Sequence, residues 1–385
     1  MALKLAVLKE ERAEETRVAA SPETVKKFAK LGFAIGIEPS AGAKAGFVDA
    51  IYQKAGAQLA TDDFIKTADI VLSVQAPPLP RLKTLKKGAI LIAQLAPYQN
   101  QDLLRACAEY GIDALAMELM PRITRAQSMD VLSSQSNLAG YKAVLDAASV
   151  YERALPMMMT AAGTIAPARI FIMGAGVAGL QAIATAKRLG AIVSATDVRK
   201  AAAEQVESLG ADFIMVETDE NESGETKAGY AQEMSESYQK KQAELIADHI
   251  ATQNIVICTA LIPGRPAPEL ISQAMVERMQ AGSVIVDLAA EQGGNCSLSK
   301  AGDIITHKGV TIIAHHNVAG RLAASASELY ARNLYHFVEG FFDKETGGFI
   351  TDWDDEIIAN IGLTHNGAII HPAFKQTLEQ DGGAH

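Results

Sequence analysis

The chain has 385 residues, enough for two domains of ordinary size. Hydrophobic residues make up 49% of it and aromatic ones only 5%, a balance that suits an α/β protein rich in Ala, Val, Ile and Leu. The net charge of −10 argues against a nucleic-acid partner, because phosphate binding wants a basic face.

The three cysteines, Cys107, Cys258 and Cys296, are far apart and none lies in a CxxC. Neither a disulfide framework nor a metal site is expected, and a reducing cytoplasm fits. The N-terminal apolar run is too short for a signal peptide, and acidic residues follow it at once. The longest uncharged stretch, 170–186, is interrupted by glycines. It reads as strand, turn and helix, so no direct membrane insertion is expected.

In chain order, LKLAVL (3–8) is a first buried strand. SPETVKKFAKLGF follows as a helix, with Ser21 as its cap and Pro22 at its first position. AIGIEPS, ADIVLSVQ and GAILIAQL are further strands, and AEYGIDALAME adds a helix-to-strand step. Such alternation implies a parallel sheet covered by helices. The polar, Ser-rich stretch 121–136 reads as a loop, and NLAGYKAVLDAASVYERAL as a long amphipathic helix bridging two domains. A second α/β region begins near Ala168, with later strands in ADFIMVE, NIVICTA, SVIVDLA and VTIIAHH. ASASELYARNLYHFVEGFF is a helix leading into a tail, 341–385, expected to return to the first domain. The expected fold is therefore α/β, with two Rossmann-like domains, parallel sheets, long joining helices and a cleft between them. The expected domains are 1–133 with 320–385, and 134–319.

Gly174, Gly176 and Gly179 form G-x-G-x-x-G directly after the strand ARIFIM and directly before an Ala-rich helix. With both flanks present the pattern is a specific signal for a dinucleotide. The first glycine permits the tight turn, the second lets the backbone approach a pyrophosphate, and the third lets helix and strand pack closely. Val177 and Ala178 then open a helix whose N-terminus presents N–H groups to the phosphates. Asp197 lies at the end of the next strand, 18 residues after Gly179, followed by Val198 and Arg199. A carboxylate there accepts both adenosine ribose hydroxyls and repels a 2′-phosphate, which favours NAD(H) over NADP(H). Arg199 is expected to be solvated or ion-paired. Thr259, Ala260 and Leu261, in CTALIPGRP, follow a strand of the same sheet. They are either part of the ligand crevice or an ordinary Pro-Gly turn, and DLAAEQGGNC carries the same ambiguity.

Two segments stand out. Residues 217–241 are a long polar stretch within a compact domain. They read either as a solvated insertion or as a mobile lid, with Gly224 and Gly229 as hinges and Tyr230 landing on bound nucleotide. The 121–136 stretch concentrates Arg122, Arg125, Gln127, Asp130 and Ser133. Gln127 offers both the donor and the acceptor that a nicotinamide carboxamide needs, and Arg122 and Asp130 can orient each other. The alternative is a polar interdomain loop. His315 and His316 end a strand, and their plain reading is structural.

With these residues assembled, the chain resembles the NAD(H)-binding component of proton-translocating NAD(P) transhydrogenases, with alanine dehydrogenase as a wider relative. The resemblance rests on KEERAEETRVAASPETVKKF, MELMPRITRAQSMDVLSSQSNLAGYKAV, PMMMTAAGTIAPARIFIMGAGVAGLQAIATAKRLGA, AGYAQEM and CTALIPGRPAP. It implies a homodimer docked on membrane-spanning and NADP(H)-binding partner subunits, cytoplasmic and peripheral to the membrane. It implies hydride transfer from NADH on this chain to NADP on the partner. Arg122, Gln127, Asp130 and Ser133 would hold the nicotinamide end, joined by Asn137 and Leu138. Asp197 would take the ribose, and Tyr230 would close on the nucleotide. Residues 156–167 would form a hairpin arm exchanged between subunits. Alanine dehydrogenase grips its substrate with an arginine, a lysine and a histidine. Arg17 remains here, while the lysine and histidine positions look like Gln75 and Gln94. Glutamine cannot shuttle a proton at neutral pH, which suits hydride exchange between two nicotinamide rings and disfavours amino-acid oxidation. The chain ends without membrane helices, so the spanning and NADP-binding parts are expected on separate polypeptides.

Overall fold

The computed structural model describes residues 2–216, 236–262, 264–349 and 352–375. The chain divides into two compact units, Met1–Gln135 with Gly320–His385, and Ser136–Ala319. The helix Val131–Val150 carries the chain from the first to the second. No helix among the described residues is long and apolar enough to cross a membrane.

The first unit is built on β1 (Lys4–Val7), β2 (Ala34–Ile37), β3 (Gln58–Leu59), β4 (Ile70–Gln75), β5 (Ile90–Gln94) and β6 (Asp113–Ala116). They form one parallel sheet in the order β3-β2-β1-β4-β5-β6. Runs such as IVLSVQ are almost wholly buried, as strands covered on both faces must be. The helix Pro22–Lys30 starts as expected. Thr24 N–H donates to Ser21 Oγ (3.2 Å) and Ser21 N–H to Thr24 Oγ1 (2.9 Å), a reciprocal cap with Pro22 in its first turn. The helix Ala323–Gly340 sends Tyr330, Leu334, Phe337 and Val338 into a core with Val25, Phe28, Leu72 and Ile92. The following tail reaches the sheet edge. Gly362 bridges Leu115, Leu363 N–H donates to the Ala114 carbonyl (2.8 Å), and Thr364 Oγ1 donates to the Ile112 carbonyl (2.7 Å).

The second unit opens with an exposed hairpin, β7 (Met158–Thr160) and β8 (Gly163–Ile165). Its sheet contains β9 (Arg169–Met173), β10 (Ile192–Thr196), β11 (Asp212–Phe213), β12 (Ile255–Cys258), β13 (Val284–Asp287), β14 (Ile304–His307) and β15 (Val310–Ile313). The order is β11-β10-β9-β12-β13-β15-β14. All pairs are parallel except β14 with β15, so this sheet is not uniformly parallel as the sequence suggested. Sequence patterning passes over β14 because this edge strand, IITH, is only four residues long and has no buried residue.

The 121–136 stretch also departs from expectation. It contains a 3-10 turn, Thr124–Met129, and then the start of the helix Val131–Val150. Asp130 Oδ1 accepts the Ser133 N–H (2.9 Å), which caps the helix one residue before it begins. Nor is the part expected to be amphipathic simply so: Tyr141 is exposed, whereas Asp146 is buried.

Candidate dinucleotide site

The glycine loop shows why two of its three glycines are required and what the third leaves open. Gly174 follows β9 with φ +101°, and a Cβ there would lie 2.6 Å from Thr259 Oγ1. Gly179 presses on the loop itself, since a Cβ would meet the Gly174 carbonyl oxygen at 1.8 Å. At Gly176 a Cβ would meet nothing within 4 Å, so that glycine keeps open the space in front of the loop. Gly176 is also the N-cap of the helix Val177–Arg188 and supplies no side-chain cap. The first N–H groups of that helix therefore face this space with the positive end of the helix dipole. Val177 and Ala178, in the first turn, are half-buried.

Asp197, just past β10, binds the loop from the other side. Its Oδ2 accepts Ala175 N–H (2.7 Å) and Arg199 Nη2 (2.9 Å). Its Oδ1 accepts Arg199 N–H (2.8 Å) and Arg199 Nε (2.9 Å). Arg199 is thus ion-paired with Asp197, and Val198 between them is half-buried. The neighbouring strand end adds Thr259, whose Oγ1 donates to the Gly174 carbonyl (2.9 Å). Ala260 is half-buried and Leu261 exposed.

Three residues holding this site were missed by sequence reasoning. Asn295, fully buried, donates from Nδ2 to the carbonyls of Ala260 (2.9 Å) and Pro268 (2.8 Å) and accepts Ala260 N–H at Oδ1 (3.1 Å). Asp287, also fully buried, accepts Ala289 N–H (2.9 Å), Asn295 N–H (2.9 Å), Cys296 N–H (3.0 Å) and Ser299 Oγ–H (2.6 Å). Gly140 lies in the helix Val131–Val150, where a Cβ would stand 2.0 Å from the Ala178 carbonyl oxygen. A lone glycine inside a helical pattern was the available signal. For Asp287 and Asn295, only DLAAEQGGNC at a strand end hinted at a role. In the same unit Asn137 Nδ2 donates to Gln181 Oε1 (3.3 Å), and Leu138 is half-buried.

Tyr230, Gly224 and Gly229 lie outside the described residues, and Glu236 opens a helix that runs to Ile250. In the first unit, Arg122 and Gln127 are exposed. Asp130 bonds Ser133 through both carboxylate oxygens, one to its N–H and one to its hydroxyl. Arg125 is committed to Asp355, which it meets at 2.7 Å through each carboxylate oxygen.

At the carboxyl ends of the first sheet, Gln75 and Gln94 are register partners on β4 and β5. Gln75 Nε2 donates to Glu15 Oε2 (3.0 Å). Arg17, buried, donates to Glu15 from Nε (2.8 Å) and Nη2 (2.7 Å) and to Gln135 Oε1 from Nη1 (2.9 Å). Burial alone would raise the Glu15 pKa, but the guanidinium beside it brings it down to about 2. Burial pushes Glu10 up to about 7, although it accepts N–H bonds from Val74 (2.6 Å) and Gln75 (3.2 Å). Glu118 is likewise pushed up to about 7 by burial. A cavity of about 680 Å³ opens beside these groups, lined among others by Lys9, Glu10, Arg12, Gln75, Tyr98 and Arg105.

Comparison with known proteins agrees with this layout. Residues 6–139 match the family described as "Alanine dehydrogenase/PNT, N-terminal domain", and residues 143–372 match "Alanine dehydrogenase/PNT, C-terminal domain". The chain is 51% identical to an NAD(P) transhydrogenase alpha subunit of Rhodospirillum rubrum over 379 residues, 97% of this chain and 99% of the relative. A crystal structure of transhydrogenase from Sinorhizobium meliloti superposes with a TM-score of 0.84 at 51% identity, covering 96% of this chain and 99% of that one. Alanine dehydrogenase of Halomonas elongata is more distant, 28% identical over 389 residues, 98% of this chain and 97% of that protein. The chain belongs to the alanine dehydrogenase/PNT family and, within it, stands with the transhydrogenase alpha subunits.

Proposed function

We propose that this chain is the NAD(H)-binding subunit of a proton-translocating NAD(P) transhydrogenase, and that hydride passes directly between NAD(H) held here and NADP(H) held by a partner subunit. Near-full-length similarity to a transhydrogenase alpha subunit supports the reading. The observation that carries it against amino-acid oxidation is the pair Gln75 and Gln94 at adjacent strand ends. Neither side chain takes up or releases a proton near neutral pH, and hydride exchange between two nicotinamide rings requires no such group.

Bound dinucleotide supplies the hydride donor or acceptor; the chain supplies grip and orientation. The N–H groups at the start of the helix Val177–Arg188 face the pyrophosphate. Asp197 and Val198 border the adenosine ribose, with Thr259, Ala260 and Leu261 on the neighbouring loop. Arg122, Gln127, Asp130 and Ser133, with Asn137 and Leu138, hold the nicotinamide end so that the rings meet at on the order of 3–3.5 Å. Tyr230 closes over the nucleotide. The chain works as a homodimer, with the hairpin at 156–167 as its exchanged arm. Met157 and Met159 on that hairpin are 62% and 81% exposed, which supports a covered role in an assembly. Membrane attachment is peripheral and runs through the partner subunits, which couple the transfer to proton movement.

Add-back to stripped membranes tests the reading. Membranes holding the partner subunits are washed free of this chain, the pure chain is returned, and hydride transfer from NADPH to an NAD analogue is followed. Activity that depends on add-back is expected. Its absence with partners present, together with alanine-dependent NAD reduction by the pure chain, would instead establish a soluble amino-acid dehydrogenase.

A further inference from the structure

Asn295 commits every polar group it has. Its Nδ2 donates to the carbonyls of Ala260 (2.9 Å) and Pro268 (2.8 Å), and its Oδ1 accepts Ala260 N–H (3.1 Å). Its backbone carbonyl accepts the N–H groups of Leu270 (2.8 Å) and Ile271 (2.9 Å). Its own N–H donates to Asp287 Oδ2 (2.9 Å). All but the last of these bonds go to the loop after β12, and they meet it at both ends. Ala260 lies where the chain leaves the strand; Pro268, Leu270 and Ile271 lie where it returns. Two carbonyls need donors and one N–H needs an acceptor, and a side-chain amide supplies both. A carboxylate of the same shape has no donor to give.

Asn295 is itself held in place. Asp287 accepts its N–H, the Cys296 N–H and the Ser299 hydroxyl. Gly293 and Gly294, with φ of +106° and +83°, turn the chain just before it. On the far side of the loop, Thr259 Oγ1 donates to the Gly174 carbonyl (2.9 Å). One run of bonds therefore leads from Asp287 through Asn295 and the start of the loop to the glycine turn.

We infer that Asn295 is a positioning residue: it closes the loop 260–271 with protein bonds alone and fixes it against the glycine turn, so that the nucleotide meets a preformed wall. The nucleotide's part in this rests on the NAD(H) reading above. Asn295 is fully buried, so it acts through the loop and not on a ligand. Closing a loop costs chain entropy, and a residue that ties both ends moves that cost from binding to folding. Without the amide, two carbonyls and one N–H lose their partners, and nucleotide must order the loop at the expense of its own affinity.

The test combines amide hydrogen exchange with NADH binding on the full chain, for wild type, Asn295→Ala, Asn295→Ser and Val310→Ala. Val310 is buried on β15 in the same unit, so its variant loses stability without touching the clamp. In wild type the amides of Ala260, Leu270 and Ile271 should exchange slowly, and NADH should slow them by no more than about threefold. In Asn295→Ala they should exchange at least about tenfold faster than in Val310→Ala, with most of the protection restored by NADH. NADH should also bind Asn295→Ala at least about fivefold more weakly than Val310→Ala. Asn295→Ser keeps one donor and should fall between, and it serves in place of Asn295→Ala should that chain not fold. Wild-type amides that exchange quickly until NADH is added overturn the inference, because nucleotide then orders the loop. Asn295 variants that match Val310→Ala in both measurements also overturn it, because Asn295 then supports only the fold. A wild-type chain with slow amides that binds no NADH upholds the clamp and overturns the NAD(H) reading.

Discussion

At the carboxyl end of β9, Gly176 supplies no side-chain cap and a Cβ there would meet open space. At the carboxyl ends of β4 and β5, side chains reach back onto the backbone: Glu10 takes the N–H groups of Val74 and Gln75, and Glu118 those of Leu95 and Ala96. The two sheets share an architecture, with parallel strands ordered outward from a central reversal. They differ in what meets the backbone donors at that reversal. In the second unit no side chain caps the helix Val177–Arg188, and the side chains nearby hold the loop backbone in shape. In the first, Glu10 takes the N–H groups at the end of β4, and the cavity of about 680 Å³ opens beside it. On the proposed reading, the uncapped helix start is what suits the second switch point to a pyrophosphate.

The comparison breaks most readily at Arg17. Replacing it with Ala leaves the Glu15 carboxylate buried without its paired cation, and unfolding free energy should fall by about 3–5 kcal/mol. Urea titration reads this directly, and a loss below about 1 kcal/mol would mean the pair is not a structural tie. A smaller effect sharpens the other side. Gly179→Ala forces a Cβ into the Gly174 carbonyl and should cost about 1–3 kcal/mol of stability. Gly176→Ala meets no neighbour and should change stability by no more than about 0.5 kcal/mol, yet weaken NADH binding at least tenfold. Thermal melts beside NADH titrations separate the two. Unchanged affinity in Gly176→Ala would place the pyrophosphate elsewhere.

How far the molecule could be read from its sequence follows from the range of the forces involved. The reciprocal Ser21–Thr24 cap and the three glycines are local, and each is fixed by residues within a few positions of it. The start of the helix Val131–Val150 reads as a loop because its polar residues are buried by distant bonds. Ser134 Oγ donates to Asn333 Oδ1 (2.7 Å) and Gln135 Nε2 to the Ala326 carbonyl (3.1 Å). Composition cannot tell a polar residue in water from one bonded in a core. Asn295 was legible only as part of an ambiguous strand-end stretch for the same reason, since the loop it clamps lies about thirty residues earlier in the chain. The Arg199 pairing was half legible. An ion pair was one of two expectations, but the filling of all four carboxylate sites required coordinates.

The smallest expected effect lies in the acidity of the first unit. Glu10 and Glu118 titrate at about 7 in the folded chain, against an ordinary 4.5. Between those values the folded chain keeps protons that the unfolded chain has lost. The contribution of these groups to stability is therefore complete below pH 4.5 and is lost as pH rises through 7. Glu15 acts in the opposite sense, since its carboxyl sits at about 2 and its contribution fades only as pH falls from 4.5 toward that value. Glu15 and these two glutamates occupy separate windows. His249 and His371, whose burial lowers their pKa, act in the opposite sense to Glu10 and Glu118 below 6.5. Between pH 4.5 and 7 Glu10 and Glu118 contribute a slope in which stability falls as pH rises. Glu118→Gln mimics the protonated side chain and should flatten that slope, making the chain more stable than wild type at pH 7.5 by on the order of 1 kcal/mol and no more stable at pH 4.5. Urea unfolding at the two pH values measures the difference. An equal gain at both would mean that Glu118 is improved by packing and not by the loss of a charge, and the contrast between a first sheet held by buried carboxyls and a second sheet open to a ligand would then rest on Arg17 and Glu15 alone.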